Sequence, residues 1–226
     1  MLLDVCFINS LPVLQGFPWE RHAPAWLPEP GWSVAFPGGT GTGLTKRTSS
    51  FALHFGHALA LSGQVSASLD LLEQSVETAE LTRVIGHYSQ GAAELSEVYW
   101  LAGRYEEAQA LAAQAYAHAY ETQEHGSQAW TARLLGEMHA QGDAPDVEQA
   151  EAYYRQALTL AEALDMRPLQ AHCHLGLGTL YTRTGQREQA RAELFMAIGL
   201  YRAMDMHFWL PQAEAALAQT GGAGPV

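Results

Sequence analysis

The stretch from Arg167 to Met204, RPLQAHCHLGLGTLYTRTGQREQARAELFMAIGLYRAM, decides the fold of this chain. Two segments with apolar residues every three or four positions flank Gly185, which is the pattern of two helices joined by a tight turn. A glycine inside a helix lets a second backbone approach, and an aromatic residue three positions later fills the space beside it. The stretch therefore predicts an antiparallel helical hairpin. Its contact positions are Leu177, Gly178, Tyr181, Ala190, Leu194 and Ala197.

The same scheme repeats in the earlier parts of the chain. One column of small residues has spacings of 40, 40 and 42, and a second has spacings of 40, 42 and 40. A third column follows the second by eight residues in every copy. The two extra residues of the third copy coincide with the turn sequence GDAPD at 142–146, where an insertion is expected. The columns are Gly56, Ser96, Gly136 and Gly178; Ser68, Ala108, Ala150 and Ala190; and Val76, Tyr116, Leu158 and Ile198.

These columns predict an all-α chain of four helical hairpins and a capping helix at 209–219. Glycines at Gly63, Gly103 and Gly185 are expected to close the first helices of three hairpins, because glycine adopts positive φ without strain. First helices are predicted at 50–62, 88–102, 127–141 and 168–184, and second helices at 65–82, 105–122, 146–164 and 187–204.

The hairpins resemble the tetratricopeptide repeat (TPR) family. The resemblance covers about four-fifths of the chain and implies a right-handed superhelical solenoid of TPR-like hairpins, an α-α superhelix. Two features depart from the family: the period is near 40 instead of about 34, and no proline closes the second helices. The family's Leu-Gly and following aromatic stand as Leu177-Gly178 with Tyr181, and less perfectly as Leu95-Ser96 with Tyr99 and Leu135-Gly136 with His139.

The closing stretch has a narrower likeness. The segments RPLQAHCHLGLG, TGQREQARAEL and YRAMDM, followed by WLPQAEAAL, resemble the C-terminal TPR arms of large bacterial signalling ATPases. Those proteins carry an adenylate-cyclase or DNA-binding domain and a P-loop ATPase upstream of the arm. The resemblance implies that this chain is the arm alone, with residues 1–48 as a remnant of the junction.

Residues 1–48 differ in kind from the repeats at 49–220. They hold six of the ten prolines, three of the six tryptophans and the run PGGTGTG, so we expect an irregular segment. Trp19, Trp26 and Trp32 favour partial packing against a neighbouring surface. The glycine run does not match a phosphate-binding loop because Lys46 is displaced from the required spacing. A flexible tail is predicted at 221–226.

Composition excludes several functional classes. The net charge is −12, from 24 acidic and 12 basic residues, so a nucleic-acid backbone would be repelled. Cys6 and Cys173 lie far apart without metal-ligand spacing, which is typical of reduced thiols. No apolar run is long enough to span a membrane, and no signal peptide is evident. We expect a soluble cytoplasmic protein.

No catalytic, metal or cofactor site is predicted. His172 and His174 are two residues apart and point about 200° apart around a helix, so they cannot bind one ion together. His54 and His57 share a helix face, but no further ligand is evident. His139 is expected to be a packed ring. We therefore expect a protein that is not an enzyme and has no cofactor.

The family arrangement places the first helices along a concave groove, and that groove is the predicted partner site. Its only bases are Arg133 and Arg183, which favours a neutral or basic protein or peptide over an acidic C-terminus. Trp100 and Trp130 could anchor such a partner, or could pack between adjacent hairpins. Two alternatives are a small molecule enclosed by the groove and a homodimer through exposed solenoid ends. The groove residues are His57, Gln90, Glu97, Trp100, Trp130, Arg133, Glu137, His172, Thr179 and Arg183.

Overall fold

The computed structural model describes residues 53–60, 62–82, 87–141 and 145–221, and every regular element within these ranges is an α-helix. The all-α, helical-repeat fold class is confirmed. The predicted segment 1–48 and residues 222–226 of the predicted tail lie outside the described residues. The helices are α1 (53–60), α2 (Val65–Thr82), α3 (His87–Leu101), α4 (Tyr105–Glu121), α5 (His125–Ala140), α6 (Val147–Ala163), α7 (Arg167–Arg183), α8 (Arg187–Ala203) and α9 (Leu210–Gly221).

The turns inside three hairpins contain the predicted glycines. Gly63, Gly103 and Gly185 have φ values of 82°, 79° and 78°. The residue after each glycine donates its backbone N–H to a carbonyl five residues earlier, as from Gln186 to Tyr181 at 2.9 Å. A left-handed residue followed by this hydrogen bond satisfies carbonyls that the helix end would otherwise leave exposed.

The turns between hairpins use non-glycine residues in the same backbone conformation. Gln123, Asp165 and Asp205 follow α4, α6 and α8 with φ values of 58°, 52° and 55°. The next residue again bonds back, as from Met166 to the carbonyl of Ala161 at 2.8 Å. The sequence analysis did not predict this conformation, because Asp and Gln are weaker signals for it than glycine. These turns stand where the family usually places a proline.

The chain divides into two compact units, Met1–Gln114 and Ala115–Val226. In the first unit, Leu53, Leu72, Val76 and Leu95 belong to a buried core supplied by α1, α2 and α3. The glycine column works here as predicted: a Cβ at Gly56 would lie 2.8 Å from Cγ of Leu72. The absence of that atom therefore lets α1 and α2 approach closely.

In the second unit, the core forms between α5, α6, α7 and α8. The ring of Tyr154 on α6 packs beside two glycines: a Cβ at Gly136 would lie 3.0 Å from it and a Cβ at Gly176 only 2.5 Å. At Gly178 a Cβ would lie 2.5 Å from Cγ of Leu194. These contacts join the helices of each hairpin and also join α6 to α7.

Candidate functional site

In the first unit, a histidine and a carboxylate among the predicted groove residues lie beside each other. Nε2 of His57 on α1 lies 3.3 Å from Oε2 of Glu97 on α3, and each side chain is 5% exposed. On the same two helices, Nδ1 of His54 lies 3.6 Å from Oε1 of Glu94. The hydrogen bond with Glu94 raises the pKa of His54, although partial burial acts in the opposite direction. Helices α1 and α3 thus match two histidines with two carboxylates.

Gln90 and Trp100, also in the first unit, lie nearer to solvent. Gln90 is exposed, and its Nε2 donates to Oε1 of Glu94 at 3.0 Å. Trp100 is half-buried, and its ring packs edge-on against Tyr105 with centroids 4.8 Å apart. The indole therefore contacts the second helix of its own hairpin and keeps an exposed part.

In the second unit, Arg133 and Glu137 form a buried ion pair one turn apart on α5. Nη1 of Arg133 donates to Oε1 of Glu137, and the two side chains are 2% and 6% exposed. The guanidinium carbon lies 5.2 Å from the ring centroid of Trp130. Removing one member of a buried pair leaves an uncompensated charge, at a cost of about 3–5 kcal/mol. Loss of either partner alone would consequently destabilise the unit.

His172 on α7 lies in an aromatic cluster. Its Nδ1 is 2.8 Å from the hydroxyl of Tyr201 on α8, and its ring centroid is 4.8 Å from that of Trp209. Trp130, which is half-buried, lies 6.2 Å away by the same measure. Trp209 precedes α9 and is itself buried. Through Trp209, the capping segment therefore covers His172 on α7.

Thr179 and Arg183 are the exposed members of the predicted groove on α7. The Thr179 hydroxyl donates to the Leu175 carbonyl of the same helix at 2.9 Å. Nη1 of Arg183 donates to the carbonyl of Ala140, the last residue of α5. A cation at that position is favourable because the C-terminal end of a helix carries partial negative charge.

Some residues around these positions were missed by the sequence analysis. Trp209 was predicted only as the start of the cap and Tyr201 was not predicted as a site residue, although both contact His172. Contacts between residues so far apart in the chain have no local sequence signal. In the sequence, the tryptophan that begins the closing segment was the only indication of an aromatic contact here.

Buried tyrosines and the buried cysteine of the second unit have raised pKa values. Burial raises the pKa of Tyr154 and Tyr201 well above the ordinary value. Burial also raises the pKa of Cys173 to about 12. A thiol reacts as its thiolate, so Cys173 stays protonated and unreactive near neutral pH.

The histidines considered as metal ligands have other partners. Nδ1 of His174 lies 2.6 Å from Oε2 of Glu193, whereas His172 contacts Tyr201. The ring of His139 stacks on Tyr153. Among the described residues, no group of three or more His, Cys, Asp or Glu side chains could hold a metal ion. Likewise, no helix in the described part of the chain is long and apolar enough to cross a membrane.

Comparison with known proteins gives matches only at the level of structure. No protein-family model matches the sequence, and no curated protein matches it. The structure of BtubC (BKLC) from P. vanneervenii is 16% identical, with a TM-score of 0.60 over 81% of this chain and 85% of that one. Two structures of a Podosopora anserina protein, described as kinesin light chain-like with nearly identical TPR-like repeats, are also similar to this chain. One is 21% identical with a TM-score of 0.61, over 78% of this chain and 85% of that one. The other is 20% identical with a TM-score of 0.57, over 78% and 94%. At these identities the likeness shows the fold alone, and the fold of this chain is therefore that of TPR-like helical-repeat proteins.

Proposed function

We propose that this protein is a non-enzymatic TPR-like scaffold that binds a protein or peptide along its first helices. The observation that carries the proposal is the TPR-like repeat fold, which extends over about four-fifths of the chain. Repeats of this kind build extended surfaces suited to another chain.

The partner that we propose is neutral or basic. The chain has a net charge of −12, which favours positively charged partners at long range. Arg133 is bonded to Glu137, and Arg183 is bonded to the Ala140 carbonyl. Both arginines thus already donate hydrogen bonds to groups of this chain, and neither is arranged as a dedicated donor for an acidic terminus.

The cellular setting that we propose is the bacterial cytoplasm, where this chain would be the regulatory arm of a signal-transduction protein. The support is the resemblance of residues 167–217 to the TPR arms of signalling ATPases. Cys173, which is a buried free thiol, is compatible with a reducing compartment.

Two threonines offer a matched test of the binding surface. Thr179 on α7 and Thr159 on α6 are both exposed, and each hydroxyl donates to the carbonyl four residues earlier at 2.9 Å. Thr179 lies on a first helix and Thr159 on a second. Thr179→Arg should therefore block the proposed groove, and Thr159→Arg should not.

The measurement is an affinity pull-down from native lysate with wild type and both variants, after far-UV circular dichroism has established equal helicity. A protein retained by wild type and Thr159→Arg, but lost from Thr179→Arg, is the expected result. Equal retention by all three chains would contradict binding along the first helices.

One observation favours a second candidate, a small-molecule sensor. The ion pair of Arg133 and Glu137 is buried in the same unit as the polar contact of His172 with Tyr201. Small-molecule sites are typically lined by apolar and aromatic side chains, with a few polar or charged groups that orient the ligand. Native mass spectrometry of the purified protein tests this candidate, since a bound ligand adds a defined mass that denaturation removes.

A further inference from the structure

The outer face of α8 differs from the same face of every other second helix. Phe195 and Met196 are 56% and 54% exposed. In the register of the repeats, the equivalents of Phe195 are Glu73, Ala113 and Arg155, and the equivalents of Met196 are Gln74, Gln114 and Gln156. Glutamine therefore fills one exposed position in three helices, and methionine fills it only in α8.

Small residues extend this apolar surface along the helix. Ala192 and Gly199 are exposed, one turn before and one turn after the Phe195–Met196 pair. A Cβ at Gly199 would meet no atom within 4 Å outside its own helix backbone, so packing inside the protein does not require this glycine. A glycine inside a helix is destabilising relative to alanine. We name Ala192, Phe195, Met196 and Gly199 the α8 patch.

Charges of opposite sign stand at the two ends of the α8 patch. Glu188 lies one turn before it and Arg202 about one turn after it, and both are exposed. Arg202 donates through Nη2 to Oε1 of Glu214 at 2.5 Å. A guanidinium has five N–H donors, so Arg202 can bind a second carboxylate at the same time.

The order of these residues is self-complementary about the middle of the helix. When two copies of α8 lie antiparallel, a two-fold axis between Phe195 and Met196 places Phe195 opposite the partner's Met196 and Ala192 opposite the partner's Gly199. The same axis brings Glu188 near Arg202 of the second copy at both ends. Small residues opposite small residues allow close helix approach, and the paired charges fix the direction.

We propose that the α8 patch is a homodimer interface, occupied by the α8 patch of a second copy in the antiparallel arrangement. This contact lies on an outer helix face and is independent of any partner bound along the first helices. It also differs from the interface predicted from the sequence, which lay at the ends of the solenoid.

The decisive variant carries Phe195→Arg and Met196→Gln, which installs the residues that α6 has at the equivalent positions. Because α6 forms a helix of the same length with exposed Arg155 and Gln156 at these positions, this variant should fold. Sedimentation velocity on the full chain should show wild type at twice the 24.6 kDa monomer mass and the variant at the monomer mass. The dissociation constant should rise at least tenfold. Wild type that stays monomeric, or a variant that still dimerises equally well, overturns the proposal.

A charge exchange tests the antiparallel direction. Glu188→Arg alone should weaken the dimer by placing arginine near Arg202 of the second copy, and Glu188→Arg with Arg202→Glu should restore it. Failure of the double variant to recover association contradicts the two-fold arrangement. Leu164→Arg is the control, because Leu164 is 42% exposed but lies outside the α8 patch, and this variant should associate like wild type.

Discussion

The hairpins α3–α4 and α7–α8 bring their helices together with different residues. In α7–α8, Gly178 faces Leu194, and a Cβ at the glycine would come within 3.3 Å of the Ala190 carbonyl. In α3–α4 the same column holds Ser96, whose hydroxyl donates to the equivalent carbonyl of Ala108 at 2.9 Å. The residue in the register of Leu194 there is only an alanine, Ala112. The repeat therefore conserves the close approach of the two helices and not a particular residue.

The alanine column also contains one serine, but the surroundings of its hydroxyl differ from those of Ser96. Ser68 on α2 replaces the alanine that stands at this position in the other three copies. Ser68 is fully buried, and within the described part of the chain its hydroxyl has no hydrogen-bond partner. A buried hydroxyl stabilises the fold only where a carbonyl accepts from it, as in Ser96.

The largest expected effect on stability concerns Tyr181 and Tyr99, the aromatic residues three positions after Gly178 and Ser96. Tyr181 is 1% exposed, and its hydroxyl donates to Oε1 of Glu151 at 2.9 Å while accepting from Arg155. Tyr99 is only half-buried, although its hydroxyl makes the matching bond to Glu73 at 2.9 Å. Tyr181→Ala should lower the free energy of unfolding by about 3–5 kcal/mol, and Tyr99→Ala by less than half of that.

Urea denaturation of both tyrosine variants measures the difference. Tyr181→Phe serves as the control, since it keeps the ring and should cost only about 1 kcal/mol through the lost hydrogen bonds. Equal losses of unfolding free energy in Tyr181→Ala and Tyr99→Ala would mean that the two tyrosines are buried to the same extent in the two hairpins.

The next effect tests whether glycine is required because of its neighbour. Gly178→Ala should lower the free energy of unfolding by about 1–3 kcal/mol, because its methyl group would collide with Leu194. In a Leu194→Ala background the same substitution should cost close to nothing, which reproduces the small pair found at Ser96 and Ala112. Thermal melts of the four chains form a double-mutant cycle.

Gly126→Ala is the matched control for that cycle. A Cβ at Gly126 meets no atom within 4 Å, so this change should be nearly neutral. A cost of Gly178→Ala that persists without the leucine side chain would show that the backbone carbonyl of Ala190, and not Leu194, sets the limit.

The two serines should respond in opposite directions. Ser68→Ala should raise the free energy of unfolding by about 1 kcal/mol, because it removes a buried hydroxyl that has no hydrogen-bond partner among the described residues. Ser96→Ala should lower it by about 1 kcal/mol, because it removes the bond to Ala108. Chemical denaturation of both variants is sufficient, and a loss of stability on Ser68→Ala would refute the assignment of that hydroxyl.

The smallest expected effect is a pH dependence in the first unit. The bond with Glu94 raises the pKa of His54 above 6.5, so folding is favoured while this histidine is protonated. That stability is complete below about pH 6.5 and is lost as pH rises through the raised pKa. His54→Gln should therefore lose stability relative to wild type at pH 5.5 but hardly at pH 8.5, as measured by thermal melts at both values.

Much of the fold could be predicted from local pattern. The helix boundaries and the turns at Gly63, Gly103 and Gly185 follow from short-range periodicity and from the backbone freedom of glycine. The turns at Gln123, Asp165 and Asp205 could not be predicted, because Gln and Asp adopt positive φ less readily than glycine and are weak signals for it.

The candidate site was less predictable, because its character depends on long-range contacts. The family pattern indicates which side of a first helix residues such as Arg133 and His172 occupy, but not what covers them. Arg133 pairs with Glu137, and His172 lies against Tyr201 and Trp209. Only Thr179, Arg183 and Gln90 among the ten predicted groove residues are exposed.

The inter-hairpin turns have a consequence for building longer arrays. Asp165 and Asp205 have nearly the same φ, and each is followed by a methionine that bonds back to the preceding helix. Residues 166–205 therefore form a cassette of 40 residues that begins and ends at equivalent points of the backbone. Tandem duplication of this cassette would join α8 to a second copy of α7 through a junction that the chain already contains, so the array could be lengthened without designing a new linker.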